Sequence, residues 1–190
     1  MLASRRLKYR DYSASGLYFV TVCSDYKHCA FGKVVDKKVE LSPLGRIVEE
    51  AWLALSSRIF GIQLHAHVVM PNHIHGIVEI VHQKLAQQAA PEQRPAGRGP
   101  VDRRTPSLSI IVRSFKADVT RRAGVELQRK KEIWQHNYFD RVIRDGKEFS
   151  NALRYIAENP IRWQVQGQRL KADQEPRRAQ QAAPLQRDRA

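Results

Sequence analysis

His73-Ile74-His75 places two imidazoles two residues apart. On an extended strand, residues i and i+2 leave the backbone on one side. The pair can therefore chelate one divalent ion without a helix to align it, while Ile74, Val78 and Ile80 turn the other way, toward a core. A lone His-x-His is equally at home on a solvated or packed face. His65 and His67 repeat the spacing on the preceding segment, and they read as structural because nothing downstream completes a site with them. Near the other end, Tyr155 and Asn159 lie one above the other at helical spacing. Phe149, Leu153 and Ile156 mark the buried stripe of that helix. Tyr155 falls at its border, where a phenol either reaches a groove or is the wet tip of a packed ring. Asn159, directly before Pro160, equally suits a helix end.

The elements that must position these groups are legible from pattern. Leu17 to Cys23 is rich in β-branched and aromatic residues and predicts a strand. Phe31 to Leu41 alternates around Asp36-Lys37-Lys38, which predicts a small hairpin. Ser42 and Pro43 start a helix whose apolar positions run from Leu44 to Ile59. Ile62–Met70 and His73–Val81 read as two strands joined at Pro71-Asn72. Leu108, Ile111, Val112, Phe115 and Val119 stripe a helix that should end near Gly124. Ile133 to Ile143 has room for an edge strand, and Lys147 to Asn159 forms a last helix that Pro160 should stop. The expected fold class is α+β: a ferredoxin-like antiparallel sheet with helices on one face, plus a final helix carrying Tyr155.

Two stretches lack any apolar period. Gln87 to Arg94 recurs at Gln180 to Arg187 with seven of eight positions matching, a duplication that a packed element would not be expected to tolerate. The predicted organisation is one domain over 1–163, interrupted by a low-complexity insertion at 83–105, with 164–190 a disordered basic tail.

Charge indicates the partner. The chain has 190 residues, with 33 Lys and Arg against 19 Asp and Glu, a formal net charge of +14. A field of that sign attracts polyanions, nucleic acid first among them. Arg5, Arg6, Lys8 and Arg10 precede the first strand. Arg113 and Lys116 share a helix face away from the apolar stripe, and Arg129-Lys130-Lys131 form a third cluster; all are candidate DNA contacts. Cys23 and Cys29 form no Cys-x-x-Cys pattern, which excludes a disulfide scaffold and a cysteine-based zinc module. No apolar run is long enough to span a membrane and no signal core opens the chain, so the expected location is the cytoplasm.

Taken together, the motifs resemble a known family. Val69-Met70-Pro71-Asn72-His73-Ile74-His75-Gly76-Ile77-Val78 and Arg154-Tyr155-Ile156-Ala157-Glu158-Asn159-Pro160 are similar, in that order, to the single-tyrosine transposases of the HUH (His-hydrophobic-His) nuclease superfamily, in particular the REP-associated branch. Ser114-Phe115-Lys116 and Trp134 to Asp140 add weaker matches, and the likeness extends from Tyr9 to Trp163. It implies that Tyr155 is the nucleophile and that His73, His75 and Asn159 hold Mg²⁺ or Mn²⁺. The insertion-sequence relatives tend to carry Gln where this chain has Asn159. The implied partner is DNA, single-stranded, with repeat or hairpin ends. The insertion-sequence relatives act as dimers and the REP-associated branch is thought to include monomers, which leaves a homodimer open.

The implied chemistry is coherent. A phenol of ordinary pKa near ~10 is a weak nucleophile at neutral pH and needs help. A cation on the scissile phosphate withdraws charge and orients it for in-line attack. By resemblance, cleavage leaves a 5′-phosphotyrosine and a free 3′-hydroxyl, a reversible exchange that needs no ATP. Two rivals remain. One is a non-catalytic nucleic-acid-binding protein of ferredoxin-like fold, although the aromatic run of an RNA-recognition domain is missing. The other is a water-using metal hydrolase, for which Glu79 would be the extra carboxylate ligand.

Overall fold

Tyr18, Val20 and Val22 alternate with more exposed neighbours, the period-two pattern of a strand with a core on one side. They belong to β1 (Gly16–Cys23). A hairpin follows, β2 (Gly32–Val35) and β3 (Lys38–Leu41). Its two-residue turn holds Asp36 and Lys37 both at positive φ, as a type I′ turn demands. Then come α1 (Pro43–Leu53), a short α2 (Leu55–Arg58), β4 (Ile62–Met70), β5 (His73–Ile80), α3 (Leu108–Glu126), β6 (Phe139–Ile143) and α4 (Gly146–Gln181). The computed structural model describes residues 15–25, 29–81 and 106–181, with side chains to residue 167. The 83–105 insertion, the N-terminal basic residues and 182–190 lie outside the described residues.

The principal sheet has the order β4-β5-β1-β6, every neighbouring pair antiparallel. Setting the hairpin aside, the chain runs β-α-β-β-α-β with β1 and β5 central and β4 and β6 flanking, as a ferredoxin-like sheet requires, and β6 forms an edge, as expected. One face carries the main core: Tyr18, Val20, Ile74 and Val78 pack with Ile47, Trp52, Ile111 and Phe115 of α1 and α3. On the opposite face, Ile77, Ile143, Phe19 and Val68 pack with Phe149, Leu153 and Ile156 of α4. The sheet is therefore sandwiched, and among the described residues the tyrosine helix is the one helix on its side. Ser42 caps α1 by accepting from the Gly45 N–H at 3.0 Å.

Three boundaries differ from expectation. The apolar run Leu44–Ile59 divides at Ala54 into two helices. Gly124 does not end α3; the helix continues to Glu126, and Gln128 takes the left-handed backbone conformation beyond it. Pro160 does not stop the last helix, which runs on to Gln181, so residues 164–181 are helical rather than an irregular tail. A proline removes one helical N–H and crowds the preceding turn. The turn beyond it is held by outside contacts: Trp163 packs on His73 with ring centroids 5.9 Å apart, and Gln164 Oε1 accepts from the Lys37 backbone N–H at 2.7 Å.

Gly76 explains the small residue after the second histidine. A Cβ there would lie 2.1 Å from a ring carbon of Trp52, itself buried in the core. Gly76→Ala should destabilise the fold by about 1–3 kcal/mol through overpacking, read as a lowered urea midpoint at unchanged slope.

Candidate active site

The strand pairing brings the histidines to one place. In β5, His73 and His75 face the α4 side of the sheet, with Ile74 and Gly76 facing the main core, as the period of two predicts. Their Nε2 atoms stand 3.0 Å apart. His73 Nδ1 lies 2.7 Å from Asn72 Oδ1, an oxygen that only accepts. Nδ1 therefore carries the proton, and the Nε2 lone pair points at His75. His75 Nδ1 lies 2.8 Å from Thr21 Oγ1, which is paired with it across β1 and β5. A hydroxyl gives or takes a proton, so His75 has two choices. It donates from Nε2 to His73, or it donates from Nδ1 to Thr21 and turns a second lone pair onto the same point.

That second arrangement suits a cation. Octahedral ligands at ~2.1 Å place adjacent donors about 3.0 Å apart, which matches the separation of the two imidazole nitrogens. A third donor to such a cation would have to come from another chemical class, because among the described residues no group of three or more His, Cys, Asp or Glu is placed to hold a metal. Asn159 is 93% buried (7% exposed) and shares a cavity of about 630 Å³ with His73 and Tyr155. Two imidazoles and one amide oxygen fit a divalent ion completed by water and phosphate oxygens.

Burial sets the protonation of the pair. Desolvation holds His73 down to about 4, and desolvation together with the neighbouring His73 holds His75 down to about 3, against an ordinary 6.5. Both imidazoles are neutral at physiological pH, as cation ligands must be. The unfolded chain binds more protons than the native one below about 6.5, so folding stability should fall as pH drops from 6.5 toward 4. Urea midpoints measured in chelator across that range should decline, and the His73→Asn/His75→Asn double variant should flatten the decline. An equal slope in both proteins would contradict the assignment.

Tyr155 comes from the opposite layer. Its ring lies 5.3 Å from that of His75 and 5.8 Å, edge-on, from Phe19. It is 39% exposed, so the side chain reaches solvent while its ring packs on two others. The guanidinium of Arg162 sits 5.6 Å from the ring centroid and pairs with Glu158 at 2.7 Å. Tyr155 also forms the partition between two cavities. The larger holds His73, Asn159, Arg162 and Trp163; the smaller, about 390 Å³, holds His75, Phe19 and Thr21.

Comparison with known proteins agrees with this arrangement at the level of fold. No protein-family model matches the chain. Over 163 residues it is 36% identical to an uncharacterized protein of Haemophilus influenzae, covering 85% of this chain and 89% of that one. The chain belongs to that protein's family. Among solved structures it is similar to a REP-associated tyrosine transposase bound to a REP hairpin, with a TM-score of 0.52 and 21% identity over 82% of this chain and 73% of that chain. The fold is thus transposase-like.

The other sequence-predicted residues fare differently. His65 and His67 do not form a second pair. A β-bulge between Leu64 and His67 breaks the alternation. His65 therefore bonds Glu79 at 2.8 Å on the α4 side, while His67 approaches Glu49 of α1 on the other. Glu79 is committed to His65, some four residues along β5 from His75, which removes the extra carboxylate that a water-using hydrolase would want. Lys116, expected among the DNA contacts, directs its ammonium at the carbonyls of Gln135, His136 and Asn137 at 2.6, 3.3 and 3.1 Å. It anchors the loop before β6 and is not a free surface charge; burial also lowers its pKa. Arg113 is exposed on α3, across the sheet from Tyr155. Arg129 and Lys131 line a separate cavity of about 490 Å³ that also holds Asp25 and Glu132, and Lys130 is exposed. Arg5, Arg6, Lys8 and Arg10 lie outside the described residues.

Four contributors escaped the sequence reading. Arg162 and Trp163 were hidden by the proline, although Tyr155, Asn159, Arg162 and Gln166 continue one helical face straight through it. Phe19 and Thr21 alternate on one side of β1, but only the β1–β5 register reveals that this side meets the histidines.

Proposed function

We propose that the protein is a metal-dependent tyrosine transposase that cuts and rejoins single-stranded or hairpin DNA through a 5′-phosphotyrosine link. The observation that carries this reading is the accessible Tyr155 phenol, held in ring contact with His75 beside two neutral imidazoles whose Nε2 atoms converge. His73, His75 and Asn159 would hold Mg²⁺ or Mn²⁺, which supplies charge withdrawal from a phosphate and a fixed orientation for it. The chain's own groups do the rest. Tyr155 Oη attacks phosphorus, the 3′-oxygen leaves with a proton, and the strand remains on the tyrosine. Arg162 lines the larger cavity and, with Nε and Nη2 on Glu158, can turn its remaining N–H groups to a phosphate. Phe19 and His75 hold the phenol ring in place, so little freedom is lost on reaching the reactive geometry. The net charge of +14 draws the strand in, and the hairpin held by the transposase of similar fold supports a hairpin substrate.

Incubation with an end-labelled hairpin oligonucleotide bearing single-stranded flanks should give a protein–DNA adduct on a denaturing gel with Mn²⁺ or Mg²⁺ and none in chelator. Binding without an adduct would favour the non-catalytic reading. Thr21 tests the support beneath the metal ligands. Thr21→Val keeps shape but removes the partner of His75 Nδ1, and should weaken Mn²⁺ binding about 10- to 100-fold, measured by calorimetry.

A further inference from the structure

The two cavities that share Tyr155 as a wall differ in chemistry. The larger is lined by His73, Asn159 and Arg162, a wall that can donate to a phosphate although the guanidinium also pairs with Glu158 at 2.7 Å from outside the lining. The smaller is lined by Glu148 and Arg141 as an ion pair at 3.0 Å, so it presents little net charge to a phosphate. Glu148 is fixed there: it accepts from the Arg144 N–H and from Arg141, both at 3.0 Å, and those contacts keep its carboxylate below the usual range. It thereby holds the Arg141 guanidinium at the cavity's edge. Asn151 lines the same space. Its Oδ1 is taken by Arg154 at 2.8 Å, which directs its amide N–H groups as donors. Phe19 supplies an aromatic wall beside them.

An uncharged planar group with hydrogen-bond acceptors at its rim fits this lining. From that contrast we infer that the smaller cavity is a nucleobase subsite. It takes one unpaired base of the strand whose adjacent phosphate lies against Tyr155, with the base beside Phe19 and its carbonyl oxygens on Asn151 and Arg141. The inference rests on the proposed DNA substrate and adds a division of labour, phosphate on the Arg162 side and base on the Asn151 side. A strand so gripped on both sides of the phenol has its reacting phosphate between them.

The test uses binding, so it is independent of cleavage. The full chain carrying Tyr155→Phe, which keeps the ring, is titrated by fluorescence anisotropy with a labelled thymidine decamer and with a decamer of abasic sites, which retains every phosphate and no base. The thymidine strand should bind at least ~10-fold more tightly, the scale of base–aromatic stacking. Adding Asn151→Ala, an exposed helix position, should shrink that ratio at least ~3-fold with abasic affinity unchanged. Adding Arg162→Ala should weaken both strands about equally. Equal binding of the two decamers, a ratio that Asn151→Ala leaves alone, or an equal loss on both strands from Asn151→Ala would overturn the subsite. Absence of an adduct from the wild-type protein would instead refute the cleavage reading and leave this measurement readable.

Discussion

Tyr155→Phe is expected to abolish the covalent adduct, lowering strand cleavage by at least ~10³-fold, as loss of an enzyme's attacking atom does. The substitution deletes one oxygen and nothing else. The ring keeps its packing on Phe19 and His75, and at 39% exposure the hydroxyl is not buying stability in the core. Thermal unfolding should therefore be unchanged, and affinity for a single-stranded hairpin oligonucleotide should stay within about twofold, because phosphate contacts dominate it. A denaturing gel and an anisotropy titration read the two quantities separately. Cleavage that survives the substitution would mean that water or another side chain attacks.

Removing the imidazoles should be nearly as costly. His73→Ala and His75→Ala each leave one nitrogen where two converge 3.0 Å apart, and a single imidazole with an amide is a poor chelate. Mn²⁺ affinity should fall at least ~10-fold and cleavage at least ~10²-fold, since charge on the scissile phosphate would go uncompensated. His75 is buried and bonded to Thr21, so its variant needs a circular dichroism check; His73, at the larger cavity, is the cleaner probe. Cation affinity that is the same in wild type and both variants would place the metal elsewhere.

Much of this was legible beforehand because it rests on short-range rules. β-Branched and aromatic residues in β1 and alternation along β4 identified strands, and the position of the two histidines relative to Ile74 and Val78 followed from the period of two. The i to i+4 spacing put Tyr155 and Asn159 on one helix face. What escaped depended on contacts between distant segments. No local feature of Leu64-His65-Ala66-His67 announces a bulge, yet that single extra residue sends two histidines to opposite faces. Pro160 gives a strong local stop signal, which the contacts of Trp163 and Gln164 override. Lys116 looks like any surface lysine on a helix, and only the folded chain shows three carbonyls converging on it. The candidate site lies where those two kinds of information meet, with the two histidines placed by strand periodicity and the phenol placed by a helix packing across the sheet.

The most direct measurement is to map the attachment. Wild-type protein reacted with a hairpin oligonucleotide and Mn²⁺ is denatured, digested with protease and nuclease, and its modified peptide sequenced by mass spectrometry. The account predicts a 5′-phosphate ester on the phenol of Tyr155, in the peptide that also carries Asn159. A nucleotide on any other residue, or cut DNA with no modified peptide, would contradict it.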